Sequence, residues 1–158
     1  MVTLITSFNE KLFNKYAYRL IDTFEKMSID CKLLVIFEGD LPIDVNKALI
    51  KTQFVKLASP DHEIFLKKFG NLYEANGFKI NVSKTIFGNE RLTVTKHMKY
   101  DLVRFAFKIF SIDFAQKFIK NNTNFAWIDA DTVCLKRFSA KDLSEFFPNN
   151  ADNQIMAY

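Results

Sequence analysis

Two aspartates separated by a single alanine, Asp129-Ala130-Asp131, end the apolar run Phe125-Ala126-Trp127-Ile128. Carboxylates that close repel each other unless a divalent cation sits between them and turns repulsion into coordination. Asp129 and Asp131 are therefore candidate metal ligands. A second group precedes them: Tyr100, Arg104 and Lys108 recur at intervals of four, which on a helix lines them along one face with two long cations. Composition alone reads that face as solvated, with snorkelling side chains. Its place just before the Asp129 strand adds the reading of a positive face available to an anionic ligand. His62 and His97 stand alone, ahead of the aspartates and without metal-ligand spacing.

The elements that must position these groups follow from the hydrophobic pattern. Four apolar residues from Phe125 to Ile128 suit a strand covered on both faces, and such strands deliver ligand groups at their carboxyl ends. Upstream, Val2 to Thr6 reads as a strand, followed by a helix from about Glu10 to Met27 whose Phe13, Tyr16, Ala17, Leu20, Ile21 and Phe24 make one apolar face. Cys31 to Phe37 is a second strand, ending at Glu38-Gly39-Asp40. Two strands flanking a helix predict a parallel βαβ unit. A short helix is expected around Asp44 to Ile50 and a strand over Phe54 to Ala58. A helix then starts at Ser59-Pro60 and runs to about Asn76-Gly77. Phe78 to Val94 reads as a long loop with at most a short strand, and Lys96 to Lys120 as a helix. A short helix is predicted from Ala140 to Phe147, and Gln154 to Tyr158 reads as the opening of a further strand.

The chain has 158 residues and a net charge of +4, with scarce Gly and Pro, high aromatic content and no repeats. This composition fits one globular α/β domain and argues against disorder and solenoid architecture. The cations are scattered lysines without a dense basic block, so nucleic acid is not the expected partner. Cys31 and Cys134 lie far apart with no CxxC or Cys/His spacing, which points to neither zinc nor a disulfide framework. No stretch reaches membrane-spanning length, and the expected location is cytoplasmic.

The segments Trp127-Ile128-Asp129-Ala130-Asp131-Thr132 and Tyr100-Asp101-Leu102-Val103-Arg104-Phe105-Ala106-Phe107-Lys108, with the turn Thr6-Ser7-Phe8-Asn9, resemble glycosyltransferases of the A-type (GT-A) fold that use nucleotide-sugar donors. The resemblance spans essentially the whole chain. It implies a three-layer α/β/α architecture with a Rossmann-like, mostly parallel sheet, here the N-terminal, donor-binding portion of a longer, metal-dependent hexosyltransferase whose C-terminal part is incomplete. It also implies Mn²⁺ or Mg²⁺ as cofactor, with Asp131 as metal ligand and Asp129 as ligand or as the group that meets the ribose. The donor, a UDP-sugar first of all, would meet Thr6, Ser7 and Phe8 at base and ribose, take further positive charge from Arg104 and Lys108, and count Asn9, Tyr100, Asp129 and Ala130 among its other contacts. The physical case is electrostatic: a carboxylate-held cation neutralises the charge that develops on a nucleotide-diphosphate leaving group.

Asp129-Ala130-Asp131-Thr132-Val133 also fits the motif of haloacid dehalogenase-like phosphatases, with Asp129 as nucleophile and Asp131 as general acid. That family places its Lys and further acidic ligands well downstream, where this sequence has little room. A non-enzymatic reading lets both aspartates cap the following turn.

Overall fold

The computed structural model describes residues 2–40, 49–119 and 124–147. In chain order the elements are β1 (Val2–Asn9), α1 (Glu10–Leu12), a π turn (Phe13–Ala17), α2 (Tyr18–Met27), β2 (Lys32–Glu38) and β3 (Thr52–Lys56). There follow α3 (Pro60–Phe69), β4 (Asn76–Lys84), β5 (Glu90–Asp101), α4 (Leu102–Ala115), a 3₁₀ turn (Gln116–Phe118), β6 (Asn124–Trp127) and α5 (Ala140–Ser144). The contacts group into two compact units, Met1–Leu57 with Ser111–Tyr158, and Ala58–Phe110. The division falls inside α4.

The first unit is built on a four-stranded sheet in the order β3-β2-β1-β6, every neighbouring pair parallel. Alternation along the strands sends successive side chains to opposite faces. Leu4, Phe8, Leu33, Val35 and Phe37 pack with Ala17, Leu20, Ile21 and Phe24 on the face of α2. Ile5, Leu34 and Ile36 pack on the other face with Phe114 and Ala115 at the end of α4. Each such large side chain contributes roughly 1.5–3 kcal/mol by leaving water, and the two layers together make the sheet the rigid part of the unit. The expected mixed α/β architecture with a parallel sheet is present.

Local chemistry sets the boundaries. The Asn9 side chain caps the first helical turn by accepting from Leu12 N at 3.1 Å, and the expected helix through Met27 is continuous apart from its π turn. The Glu25 carboxylate on α2 accepts from Lys51 N at 3.0 Å and from the Thr52 hydroxyl at 2.6 Å, while Lys51 Nζ donates to the carbonyls of Glu25 and Ser28. This clamp starts β3 at Thr52, two residues before the expected Phe54. The expected Asp44 helix and Gln154 strand fall mainly or wholly outside the described residues.

The second unit corrects two expectations. Helix α3 starts as predicted, with Ser59 Oγ accepting from His62 N at 3.3 Å, but ends at Phe69 instead of near Asn76. There the Asn76 amide donates to the carbonyls of Gly70 and Leu72, both at 2.8 Å, which holds the chain in turns. The expected Phe78–Val94 loop is a long antiparallel hairpin, β4 with β5. Its alternation is present in Ile80, Asn81, Val82, Ser83 and again in Leu92, Thr93, Val94, Thr95. Strand β5 continues to Asp101, where Asp101 Oδ1 accepts from Arg104 N at 3.0 Å and so caps α4. The predicted helix over Lys96–Lys120 therefore begins only at Leu102. Buried His62 packs between the rings of Phe107 and Phe110 at 5.4 and 5.3 Å.

Candidate functional site

Strand order and register place the aspartates at a particular point of the sheet. From β1 the chain steps outward through β2 to β3, then returns to add β6 on the opposite side of β1. Ligands of open parallel sheets bind outside the carboxyl ends of the strands where the order reverses in this way. That point lies between the tips of β1 and β6.

Register shapes the crevice. Strand β6 pairs with β1 from Val2↔Asn124 to Ile5↔Trp127, and Ile128 N donates to Ile5 O at 2.9 Å. In a parallel ladder the residues that bond to one neighbour alternate. The next residue of β1 to face β6 is therefore Ser7, and it lies beyond the last paired residue of β6. Half-buried Ser7 thus borders the crevice with its main-chain N–H and C=O.

Beyond Ile128 the chain turns, with Thr132 N donating to Asp129 O at 3.0 Å. Ala130 at the centre of the turn packs against the core on the α2 face, while Asp129 and Asp131 on either side are exposed. Downstream, Cys134 N donates to Thr23 Oγ1 at 3.1 Å on α2, and Phe138 pairs with the chain after α2 through Ile29 N to Phe138 O at 2.9 Å. The loop carrying the aspartates is thus tied down at both ends. Burial raises the Cys134 thiol above the ordinary cysteine value, partly offset by its bond to Thr23, so it is no ready thiolate ligand or nucleophile.

Trp127 adds a contact at this tip beyond its expected place in the apolar run. The indole N–H of Trp127 donates to Asp129 Oδ1 at 2.9 Å, which orients that carboxylate. The signal was available: residues i and i+2 at a strand end share a side of the chain. Asn9 at the tip of β1 likewise bonds the Glu38 carboxylate at the tip of β2, Nδ2 to Oε2 at 3.3 Å. Its amide is thereby shared between a helix cap and a strand-tip link.

The other expected donor-binding residues are placed differently. Thr6 and Phe8 have almost no accessible surface, and their side chains cannot meet a base or ribose in this structure. Strand alternation puts them with Leu4 on the α2 face, where Phe8 contacts the rings of Phe13, Phe37 and Phe54 at 6.0, 5.9 and 6.2 Å. Only Ser7 and Asn9 of that turn are partly accessible. Tyr100 lies in β5 and not on a helix, so the expected three-residue face reduces to Arg104 and Lys108 on α4. The Arg104 guanidinium contacts Met98 Sδ at 3.0 Å. All three belong to the second unit.

Among the described residues no three His, Cys, Asp or Glu side chains converge to hold a metal ion. Two carboxylates without a third protein ligand do not make a cage for a resident ion. They fit the mode in which Mg²⁺, keeping several waters, binds one or two carboxylates together with the phosphates of a substrate. A cavity of about 250 Å³ lined by Thr3, Lys32, Lys51, Gln53 and Ile119 opens at the amino-terminal edge of the same sheet. That is the end opposite the aspartates, and the switch-point rule favours the carboxyl end. No family model, curated protein or solved structure matches the chain.

Proposed function

We propose that the first unit binds a nucleotide-diphosphate sugar, a UDP-sugar, through a divalent cation held by Asp129 and Asp131, as the donor-binding part of a glycosyltransferase of the A-type fold. The observation that carries the reading is the exposed Asp129-Ala130-Asp131 turn beside Ser7 at the reversal of strand order. The cation, Mn²⁺ or Mg²⁺, supplies positive charge to a leaving diphosphate. The chain's own residues position it: Trp127 orients Asp129, Ala130 seats the turn, and the tie from Cys134 to Thr23 holds the following segment on α2. Ser7 offers a main-chain donor and acceptor of the kind that recognises a planar base edge. Asn9, held by its own two bonds, keeps the tip of β1 in place. Such a site needs electrostatics and positioning and no activated nucleophile.

The test is calorimetry with UDP-glucose, with and without Mn²⁺, paired with the emission of Trp127, the single tryptophan of the chain. We expect Mn²⁺ to strengthen binding and change that emission, and Asp131→Ala to abolish both responses while leaving the far-ultraviolet spectrum intact. Equal, metal-independent behaviour of the two proteins would overturn the reading. Hydrolysis of a generic phosphoester that is lost in Asp129→Asn would replace it with the phosphatase-like alternative.

A further inference from the structure

The hairpin of the second unit carries a surface that the nucleotide-sugar reading does not use. Its register sets Ile80 opposite Val94 and Val82 opposite Leu92, which puts four aliphatic side chains on one face. All four are more than half exposed. The opposite face is polar, with Lys79, Asn81 and Ser83 across from Thr95, Thr93 and Arg91. At the tip the chain reverses over Thr85–Asn89: Gly88 N donates to Thr85 O at 2.9 Å and Thr85 N to Asn89 O at 2.8 Å. Gly88 has φ 78°. This is the three-residue hairpin loop closed by a left-handed glycine.

That turn needs Thr85, whose hydroxyl accepts from Asn89 N at 3.1 Å, and it needs Gly88. It makes no demand for large apolar residues at its two central positions, where small or polar residues ordinarily stand. Those positions hold Ile86 and Phe87, 100% and 90% exposed. Folding gains nothing from them, so their apolar character points to something outside the chain.

Charge says what kind of surface that is. Between Asn76 and Asp101 the cations are Lys79, Lys84, Arg91, Lys96 and Lys99, and the acids are Glu90 and Asp101. Asp101 is buried and paired with Lys96 at 3.3 Å, and Glu90 stands opposite Lys84. The hairpin is therefore net positive, with Lys84 next to the turn and Arg91 two residues beyond it. A second copy of this hairpin would bring like charges together. An apolar tip flanked by Lys84 and Arg91, with Lys79, Lys96 and Lys99 further down the hairpin and Glu90 the one acid near the tip, matches the layered chemistry of an anionic lipid surface, with acyl chains below and phosphates at the level of the flanking cations. No helix among the described residues is long and apolar enough to cross a membrane.

We propose that the Asn76–Asp101 hairpin docks on anionic membranes, with Ile86 and Phe87 entering the acyl boundary and Lys84 and Arg91 meeting lipid phosphates. Flotation of the full chain tests this with vesicles of phosphatidylcholine alone and of phosphatidylcholine mixed with phosphatidylserine. The chain should float with the mixed vesicles, less so at raised salt, and poorly with the neutral ones. Ile86→Ser with Phe87→Ser should weaken partitioning on the order of 100-fold, and Lys84→Ser with Arg91→Ser roughly 25-fold. Both pairs are exposed, so circular dichroism should match the unaltered chain. Failure to float, or flotation indifferent to the Ile86 and Phe87 changes, would overturn the proposal. So would self-association lost in the same variant without vesicle binding, which assigns the surface to a second copy, or binding to polyglutamate that survives loss of both apolar residues, which assigns it to an acidic polypeptide. None of these readouts depends on the nucleotide-sugar site.

Discussion

In the parallel sheet Val35 and Ile36 are both fully buried, one on each face, whereas in the hairpin the cross-strand pairs Ile80–Val94 and Val82–Leu92 stay more than half exposed. Both regions use β-branched and aliphatic residues in extended chain, and the difference lies in what connects the strands. Parallel strands need long crossovers, and the helices in those crossovers cover the sheet. The antiparallel pair needs only the Thr85–Asn89 turn, which sets register without any cover. A two-stranded hairpin on its own is marginal in water. The sheet thus serves as a stiff base whose strand tips hold Asp129 and Asp131 in place, and the hairpin is the part most easily opened.

The largest test of that contrast compares two phenylalanines. Phe37→Ala empties a position at the centre of an aromatic cluster with Phe8 and Phe54, and we expect a loss of about 3–5 kcal/mol in urea unfolding. Phe87→Ala removes a side chain that touches water, and we expect a change within about 0.5 kcal/mol. Similar losses from the two would break the comparison, because they would mean that the hairpin tip is folded against something.

A second substitution asks whether the hairpin opens separately. Gly77 has φ 76°, and a Cβ there would lie 2.6 Å from the main-chain oxygen of His97 across the irregularity between Asn76 and Phe78. Gly77→Ala should cost about 1–2 kcal/mol from the left-handed backbone alone, with more from displacing His97. Amide exchange should accelerate along β4 and β5 and stay unchanged along β1 and β2. Uniform acceleration in both would show one cooperative unit in place of two.

The sheet was largely readable from residue order because burial on both faces leaves continuous apolar runs such as Leu33 to Phe37. The Asp-x-Asp was readable from the apolar run Phe125 to Ile128 ahead of it, although β6 is an edge strand with Phe125 40% exposed and not the strand covered on both faces that the run suggests. The hairpin was not, because Phe78 to Val94 offers neither a buried run nor a short two-residue turn. Its alternation passes through a five-residue reversal around Gly88. The start of α4 was missed because its signal is one side chain, Asp101, capping at the end of a strand whose Tyr100 continues the four-residue spacing of Arg104 and Lys108 by coincidence. Enclosure of Thr6 and Phe8 was hidden as well. A strand tip shows which residues are last, but which of them face a helix depends on the face that the rest of the strand has already buried.

The smallest effect concerns α5, a short exposed element of the otherwise well-packed first unit. Its start is a capping box: Ser139 N and Oγ donate to Asp142 Oδ2 at 2.7 and 2.8 Å, and Asp142 N donates back to Ser139 Oγ at 3.4 Å. The Ser139 hydroxyl first, and then its main-chain N–H, hold the Asp142 carboxyl below the ordinary carboxylate value. Folding therefore favours the ionised form. The stabilisation is fully present above the unfolded value of about 3.9 and is lost as pH falls through the lower folded one. The carboxyl resonance of Asp142 should titrate with a midpoint below that of an unfolded peptide, and Ser139→Ala should move it back up. Added salt should shift it in the same direction, since the group is exposed and screened. Asp142→Asn should remove the acid sensitivity of α5 while leaving β2 untouched. A midpoint at the unfolded value would mean that the box does not form in solution, and the stiffness ascribed to the first unit would then stop at the sheet and α2.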